Sequence, residues 1–259
     1  MNPILLAFLL SLVAGLATAI GGAMVFFVKK TNTKMLALAL SFSAGVMLFI
    51  SFVELFDEAK ESLYEAGLEQ GFLVTVIAFF GGIVLMALID KFIPHNDDEV
   101  ADTEEIKKNN ELKRTGIASA IAIAIHNFPE GFVTFMAAMY DPALGVVVAI
   151  AVAIHNIPEG IAVAAPIYYS TGSKAKAFWL AAASGLTEPL GALAAFFLLS
   201  HVLYDGLFGI VFAAVGGMMV FISLHQLLPA AHKHGEHHSI MKGLFLGMLI
   251  MALTLVVLH

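Results

Sequence analysis

Long apolar runs separated by short polar ones recur eight times along the chain, over roughly 4–28, 35–56, 71–93, 115–139, 143–168, 176–202, 207–230 and 240–258. Each run holds about the 20 apolar residues a helix needs to cross the hydrocarbon core. The runs are continuous rather than alternating, which predicts helices and not barrel strands. The pattern therefore specifies an all-α polytopic membrane protein, one transmembrane domain over residues 1–259 with eight spans. A single long polar stretch, 94–114, divides three spans from five and is expected to be a flexible loop. The first run follows Met1-Asn2-Pro3 with no basic residue ahead of it, and Lys29, Lys30 and Lys34 come after it. A signal peptide carries its positive charge first, so this run reads as a retained span.

Composition agrees with the pattern. Of 259 residues, 60% are hydrophobic and only 13% charged, about half the charged share of a soluble domain. Mean hydropathy is +0.92. No basic patch is interleaved with aromatics, so nucleic acid is not a partner; the partner implied throughout is the lipid bilayer. The basic residues fall in connections 1–2, 3–4, 5–6 and 7–8, and Lys60 alone lies on the other side. Positive charge prefers the cytoplasm, so both termini are expected to face outside. The chain has no cysteine, so any metal must be held by His, carboxylate, amide or Met.

Three glutamates interrupt the apolar runs near their middles: Glu130 in span 4, Glu159 in span 5 and Glu188 in span 6. An ionisable group at that depth costs about 2.5–3.5 kcal/mol on insertion scales and is functional by default. Two of them end copies of one motif, His126-Asn127-Phe128-Pro129-Glu130-Gly131 and His155-Asn156-Ile157-Pro158-Glu159-Gly160. His and Glu at i and i+4, with Asn between, share one helical face. The proline removes a backbone donor and crowds the carbonyl of Ile125 or Ile154. The glycine leaves room for a neighbouring helix. Spans 4 and 5 join through a short turn near Asp141-Pro142, so the two motifs fall at similar depth in antiparallel helices. Imidazole ligands suit Zn, Fe, Cu and Ni, and the oxygen ligands add Mn. Protons compete for the same atoms, so binding should weaken as pH falls.

With these motifs, and with Thr187-Glu188-Pro189-Leu190-Gly191 in span 6, the chain resembles the ZIP (Zrt-, Irt-like protein) family of metal transporters, in its bacterial form, over essentially its whole length. The resemblance implies a 3+2+3 arrangement, with spans 1–3 related by inversion to spans 6–8 around the 4–5 pair. It implies one ion site of His126, Glu130, His155 and Glu159, and a second of Asn127, Glu130, Asn156, Glu159 and Glu188, with Glu130 and Glu159 shared. It further implies elevator-like movement of spans 1, 4, 5 and 6 against spans 2, 3, 7 and 8. Uptake of Zn2+, with Fe2+, Mn2+, Co2+ and Cd2+ as competitors, would run into the cytoplasm through a homodimer in the bacterial inner membrane. No catalytic cofactor is implied; the bound metal is cargo, and the protein is not an enzyme.

Other residues carry weaker signals. Met47 is core filler by residue type, and the resemblance brings it near the first site. Glu54, beside Asp57 and Glu58 at the outer end of span 2, reads as a cation-attracting entrance. His225 in the inner half of span 7 reads as either a packing residue or an exit ligand. In the 7–8 connection, His232, His234, His237 and His238 read as either solvated histidines or a metal-receiving tract. The competing functional reading is a membrane-embedded metal-dependent hydrolase, in which Glu130 would serve as general base.

Overall fold

The computed structural model describes residues 2–27, 33–92, 104–140, 142–199 and 205–258, and among these every regular element is helical. Eight helices are long and apolar enough to cross a membrane: Pro3–Phe26, Lys34–Glu65, Gly71–Lys91, Ser119–Met139, Gly145–Thr171, Lys174–Phe197, Gly206–His234 and His237–Val257. They are spans 1 to 8 below, and each overlaps one of the apolar runs. Asn2 caps the first, its side-chain oxygen accepting from the Ile4 N–H at 2.9 Å ahead of a proline that needs no partner. The polar stretch 94–114 departs from expectation. The helix carrying span 4 begins at Glu104, so the second half of that stretch is helical; residues 93–103 lie outside the described part.

Packing divides the spans into two groups. Span 1 lies against spans 5, 6 and 4, and span 4 against spans 5 and 6; span 2 lies against spans 8, 7 and 3, and span 3 against span 7. The groups 1-4-5-6 and 2-3-7-8 meet chiefly where span 2 passes span 5 and span 4 passes span 7.

Four seams inside the groups share one device. Gly21 lies against the carbonyl of Ile157, and Gly160 against that of Thr18; Gly131 against Glu188, and Gly191 against Phe128; Gly45 against Leu244, and Gly247 against Phe42; Gly82 against Ala214, and Gly217 against Phe79. A Cβ at any of these glycines would sit 1.8–2.1 Å from the carbonyl oxygen. Such close backbone approach is what glycine provides between membrane helices. The seams join spans 1 and 5, 4 and 6, 2 and 8, and 3 and 7. Exchanging span 1 with 6, 2 with 7, 3 with 8 and 4 with 5 reproduces the same set. That is the symmetry of an inverted repeat, and the 3+2+3 arrangement follows from it.

The same exchange relates two local irregularities. Span 2 widens into a π-turn over Ser51–Leu55, and span 7 does so over Ser223–Leu227. In each the serine hydroxyl donates back one turn, Ser51 to the Met47 carbonyl at 2.6 Å and Ser223 to that of Met219 at 2.8 Å. Span 6 is discontinuous: Lys174–Gly185 ends, Leu186 turns, and Thr187–Leu199 begins. Pro189 supplies no N–H for the Gly185 carbonyl, which explains a break at this place. Glu188 consequently lies in the first turn of a half-helix rather than in the middle of a continuous one.

Candidate metal centre

Spans 4 and 5 carry their motif histidines and glutamates on facing surfaces, and both helices run through Pro129 and Pro158 without interruption. His126, Asn127, Glu130, His155, Asn156, Glu159 and Glu188 are all buried. The two motif glycines open towards other helices than the opposite motif: Gly131 admits the backbone of Glu188 in span 6, and Gly160 that of Thr18 in span 1. Spans 6 and 1 are thereby pressed against the motifs from either side.

One ligand atom from each of His126, Glu130, His155 and Glu159 falls within a sphere where all lie less than 4.8 Å apart. His126 Nε2 is 3.1 Å from Glu130 Oε1 and 3.1 Å from Glu159 Oε1, and His155 Nε2 is 2.7 Å from Glu130 Oε1. Ligands at the Zn–N and Zn–O lengths of about 2.0–2.1 Å stand about 3.3 Å apart in a tetrahedron. The three imidazole–carboxylate separations are thus within about 0.6 Å of the spacing around a zinc-sized ion. His155 is held for this by its own helix: its Nδ1–H donates to the Ala151 carbonyl at 3.0 Å, which turns Nε2 towards Glu130.

Beside this cluster lie the amides and the third glutamate. Asn156 donates to the Ala14 carbonyl at 2.8 Å and also to Glu188 Oε1, tying span 5 to spans 1 and 6. With its amide turned to place nitrogen against acceptors, Asn127 donates to the Ile123 carbonyl at 2.8 Å and to Glu159 Oε2 at 3.1 Å. Several buried polar atoms make no well-formed hydrogen bond within the protein: Glu130 Oε2, Glu159 Oε1, Glu188 Oε2, Asn156 Oδ1 and both ring nitrogens of His126. An unsatisfied buried polar atom costs about 1–3 kcal/mol. So many converging at one depth is the electrostatic shape of a cation seat.

A narrow cavity of about 30 Å³ reaches this centre. Glu130, Val133, Ala151, Val152 and His155 line it from one group of helices, and Ile50, Glu54, Glu58 and Phe212 from the other. It runs towards connections 2–3, 4–5 and 6–7. In the opposite direction, Leu36, Leu40, Met47, Ile123, Ile167 and Tyr168 belong to the largest apolar cluster.

The remaining expectations separate cleanly. Glu54 and Glu58 both line the cavity. Met47 is fully buried in the apolar cluster, one helical turn beyond the cavity-lining Ile50. His225 is apart from the centre: it stacks on Phe221 with centroids 4.7 Å apart, and its Nε2 is 3.2 Å from Asp90 Oδ2. Asp90, which also accepts from Gln226 at 3.1 Å, was not singled out by the sequence. Its signal was available, as the only acidic residue in the apolar run 71–93. On the 7–8 connection His232, His237 and His238 are exposed, and His234 is half-buried.

Fold and site together define a polytopic helical membrane protein with a buried cluster of cation ligands at the heart of an inverted repeat. Comparison with known proteins gives the class a family. The profile described as ZIP Zinc transporter matches residues 4–115 and 94–255, and the chain belongs to that family. It is 54% identical over 264 residues to the zinc transporter ZupT of Lysinibacillus sphaericus, covering 98% of each chain. It is 52% identical over 267 residues to the zinc transporter ZupT of Oceanobacillus iheyensis, covering 100% of each. Against the zinc transporter ZupT of Clostridium perfringens, identity is 50% over 275 residues, with 98% of this chain and 96% of the relative covered. The protein is thus a multi-pass membrane transporter of divalent metal ions.

Proposed function

We propose that the protein carries Zn2+ into the cytoplasm across the bacterial inner membrane, both termini facing outward. His126, Glu130, His155 and Glu159 form the first ion seat, and Asn127, Asn156 and Glu188 complete a second beside it with Glu130 and Glu159 shared. The observation that carries this reading is the set of nitrogen–oxygen separations of 2.7–3.1 Å among four buried side chains. Fe2+, Mn2+, Co2+ and Cd2+ fit the same imidazole and carboxylate donors and compete for the seat. Charge asymmetry between the two faces supports the orientation, and under it the cavity past Glu54 and Glu58 opens to the outside.

The grouping of the helices supports alternating access. Spans 1, 4, 5 and 6 hold the ligands and are bound to one another through glycine seams, while spans 2, 3, 7 and 8 form the wall they slide along. The ion travels with its ligands, elevator fashion, and its exposure changes from one face to the other. A homodimer would anchor the wall.

Zinc flux into proteoliposomes tests the reading. Replacing Glu130 by alanine removes the carboxylate nearest both imidazoles and is expected to lower flux by about a hundredfold or more, in line with the 3–5 kcal/mol cost of unpairing buried charges. Unchanged flux in Glu130→Ala and Glu159→Ala together would overturn it.

A further inference from the structure

The connection between spans 7 and 8 holds a cluster that the mid-membrane centre does not use. Span 7 closes with the helix Leu228–His234, and span 8 starts with His237. The reversal at Gly235 and Glu236 brings histidines from two helix ends onto one exposed surface. The ring centroids of His232 and His237 are 6.0 Å apart, and those of His237 and His238 are 6.1 Å apart.

His232 is oriented. Its Nδ1 lies 2.8 Å from the Leu228 carbonyl, and a carbonyl only accepts, so Nδ1 carries the proton and the Nε2 lone pair points away from the helix. Metal-ligating histidines are commonly fixed through such a bond to a backbone carbonyl. Within this molecule the same bond to the residue four back holds His155 at the membrane centre. Two imidazoles sharing a tetrahedral ion at about 2.0–2.1 Å place their ring centroids about 5 Å apart. Closing the observed gaps by about 1 Å needs only side-chain rotation at exposed positions. The helix Leu228–His234 packs against span 2, so the three rings stay with the 2-3-7-8 group.

We propose that His232, His237 and His238 form a water-accessible divalent-cation site that favours imidazole-seeking ions such as Zn2+, Co2+ and Ni2+ over Mn2+ and Mg2+. The preference follows from ligand type, since hard oxygen-seeking ions gain little from three imidazoles and no carboxylate. The site lies on the basic face, away from the cavity mouth and outside the helices that hold the buried ligands. It binds metal whether or not the buried centre does, and independently of the direction of transport.

Binding to purified full-length protein tests it. In Glu130→Ala/Glu159→Ala protein, which lacks the shared carboxylates, Co2+ is expected to give a visible d–d absorption that titrates to a single equivalent. Calorimetry should find Zn2+ at the same stoichiometry and Mn2+ unbound. Adding His232→Ala and His237→Ala should weaken this binding by at least about tenfold, the scale of losing a metal-orienting contact. Binding whose affinity is unchanged by removal of both histidines, or that takes Mn2+ as readily as Zn2+, overturns the site. The same histidine pair replaced in the otherwise unaltered protein must lower total Zn2+ stoichiometry by one, which decides the matter without reliance on the membrane-core variants.

Discussion

Glu130 is shared by two imidazoles, while its second oxygen and one oxygen each of Glu159 and Glu188 make no well-formed hydrogen bond within the protein. Side chains in this condition gain most from a cation. Zinc should therefore stabilise the protein: at a hundredfold excess over the dissociation constant, linkage gives about 2.7 kcal/mol. A thermal-shift titration in detergent should show the melting temperature rising with Zn2+ and returning on chelation. The rise should shrink as pH falls, because imidazolium cannot coordinate and a protonated carboxyl binds metal poorly. A melting temperature indifferent to zinc at neutral pH would mean that these atoms are satisfied in some other way.

At the scale of the element, the glycine seams make a sharp comparison. At Gly131 a side chain would meet the Glu188 backbone at 2.0 Å, whereas at Gly81 a Cβ has nothing within 4 Å. Gly131→Leu is expected to cost about 3 kcal/mol or more, the upper range for overpacking, and to displace Glu188 as well. Gly81→Ala should be neutral, or stabilising by up to about 1 kcal/mol through helix propensity. Melting temperatures of the two variants check both. Span lengths were legible because so long an apolar run is stable only in lipid or a deep core. The ligand motif was legible because a glutamate at mid-membrane is costly unless it serves a site. The break in span 6 was harder to foresee. Pro129, Pro158 and Pro189 follow one another in similar apolar settings, yet only the last accompanies a break. The π-turns at Ser51–Leu55 and Ser223–Leu227 have no residue signature at all, since an extra residue in a turn is set by how spans 2 and 7 pack. The destination of the motif glycines, towards spans 6 and 1, is likewise a tertiary fact.

For the whole molecule, the division into 1-4-5-6 and 2-3-7-8 is a claim about which parts move together. The absence of cysteine makes it accessible to cross-linking. Ile50 and Ala151 line the cavity from opposite groups, so cysteines placed there and joined by a short bis-maleimide should arrest zinc flux. Phe26 and Phe178 touch within one group, with ring centroids 6.0 Å apart. Joining cysteines at those positions should leave flux within about twofold of the unlinked protein, as expected where no relative motion is needed. Arrest by both links alike would rule out rigid-body sliding along this seam.

The glycine seams have one more consequence. Each joins a helix from residues 1–140 to a helix from residues 142–259, so neither half of the chain can complete even one of the four by itself. Severed between residues 140 and 142 and produced as two polypeptides, the halves should be unstable alone, yet reconstitute zinc transport when made together in one cell, as two mutually templating strangers. Recovery of a well-behaved, monodisperse half in isolation would show that the fold is less interdependent than its backbone contacts suggest.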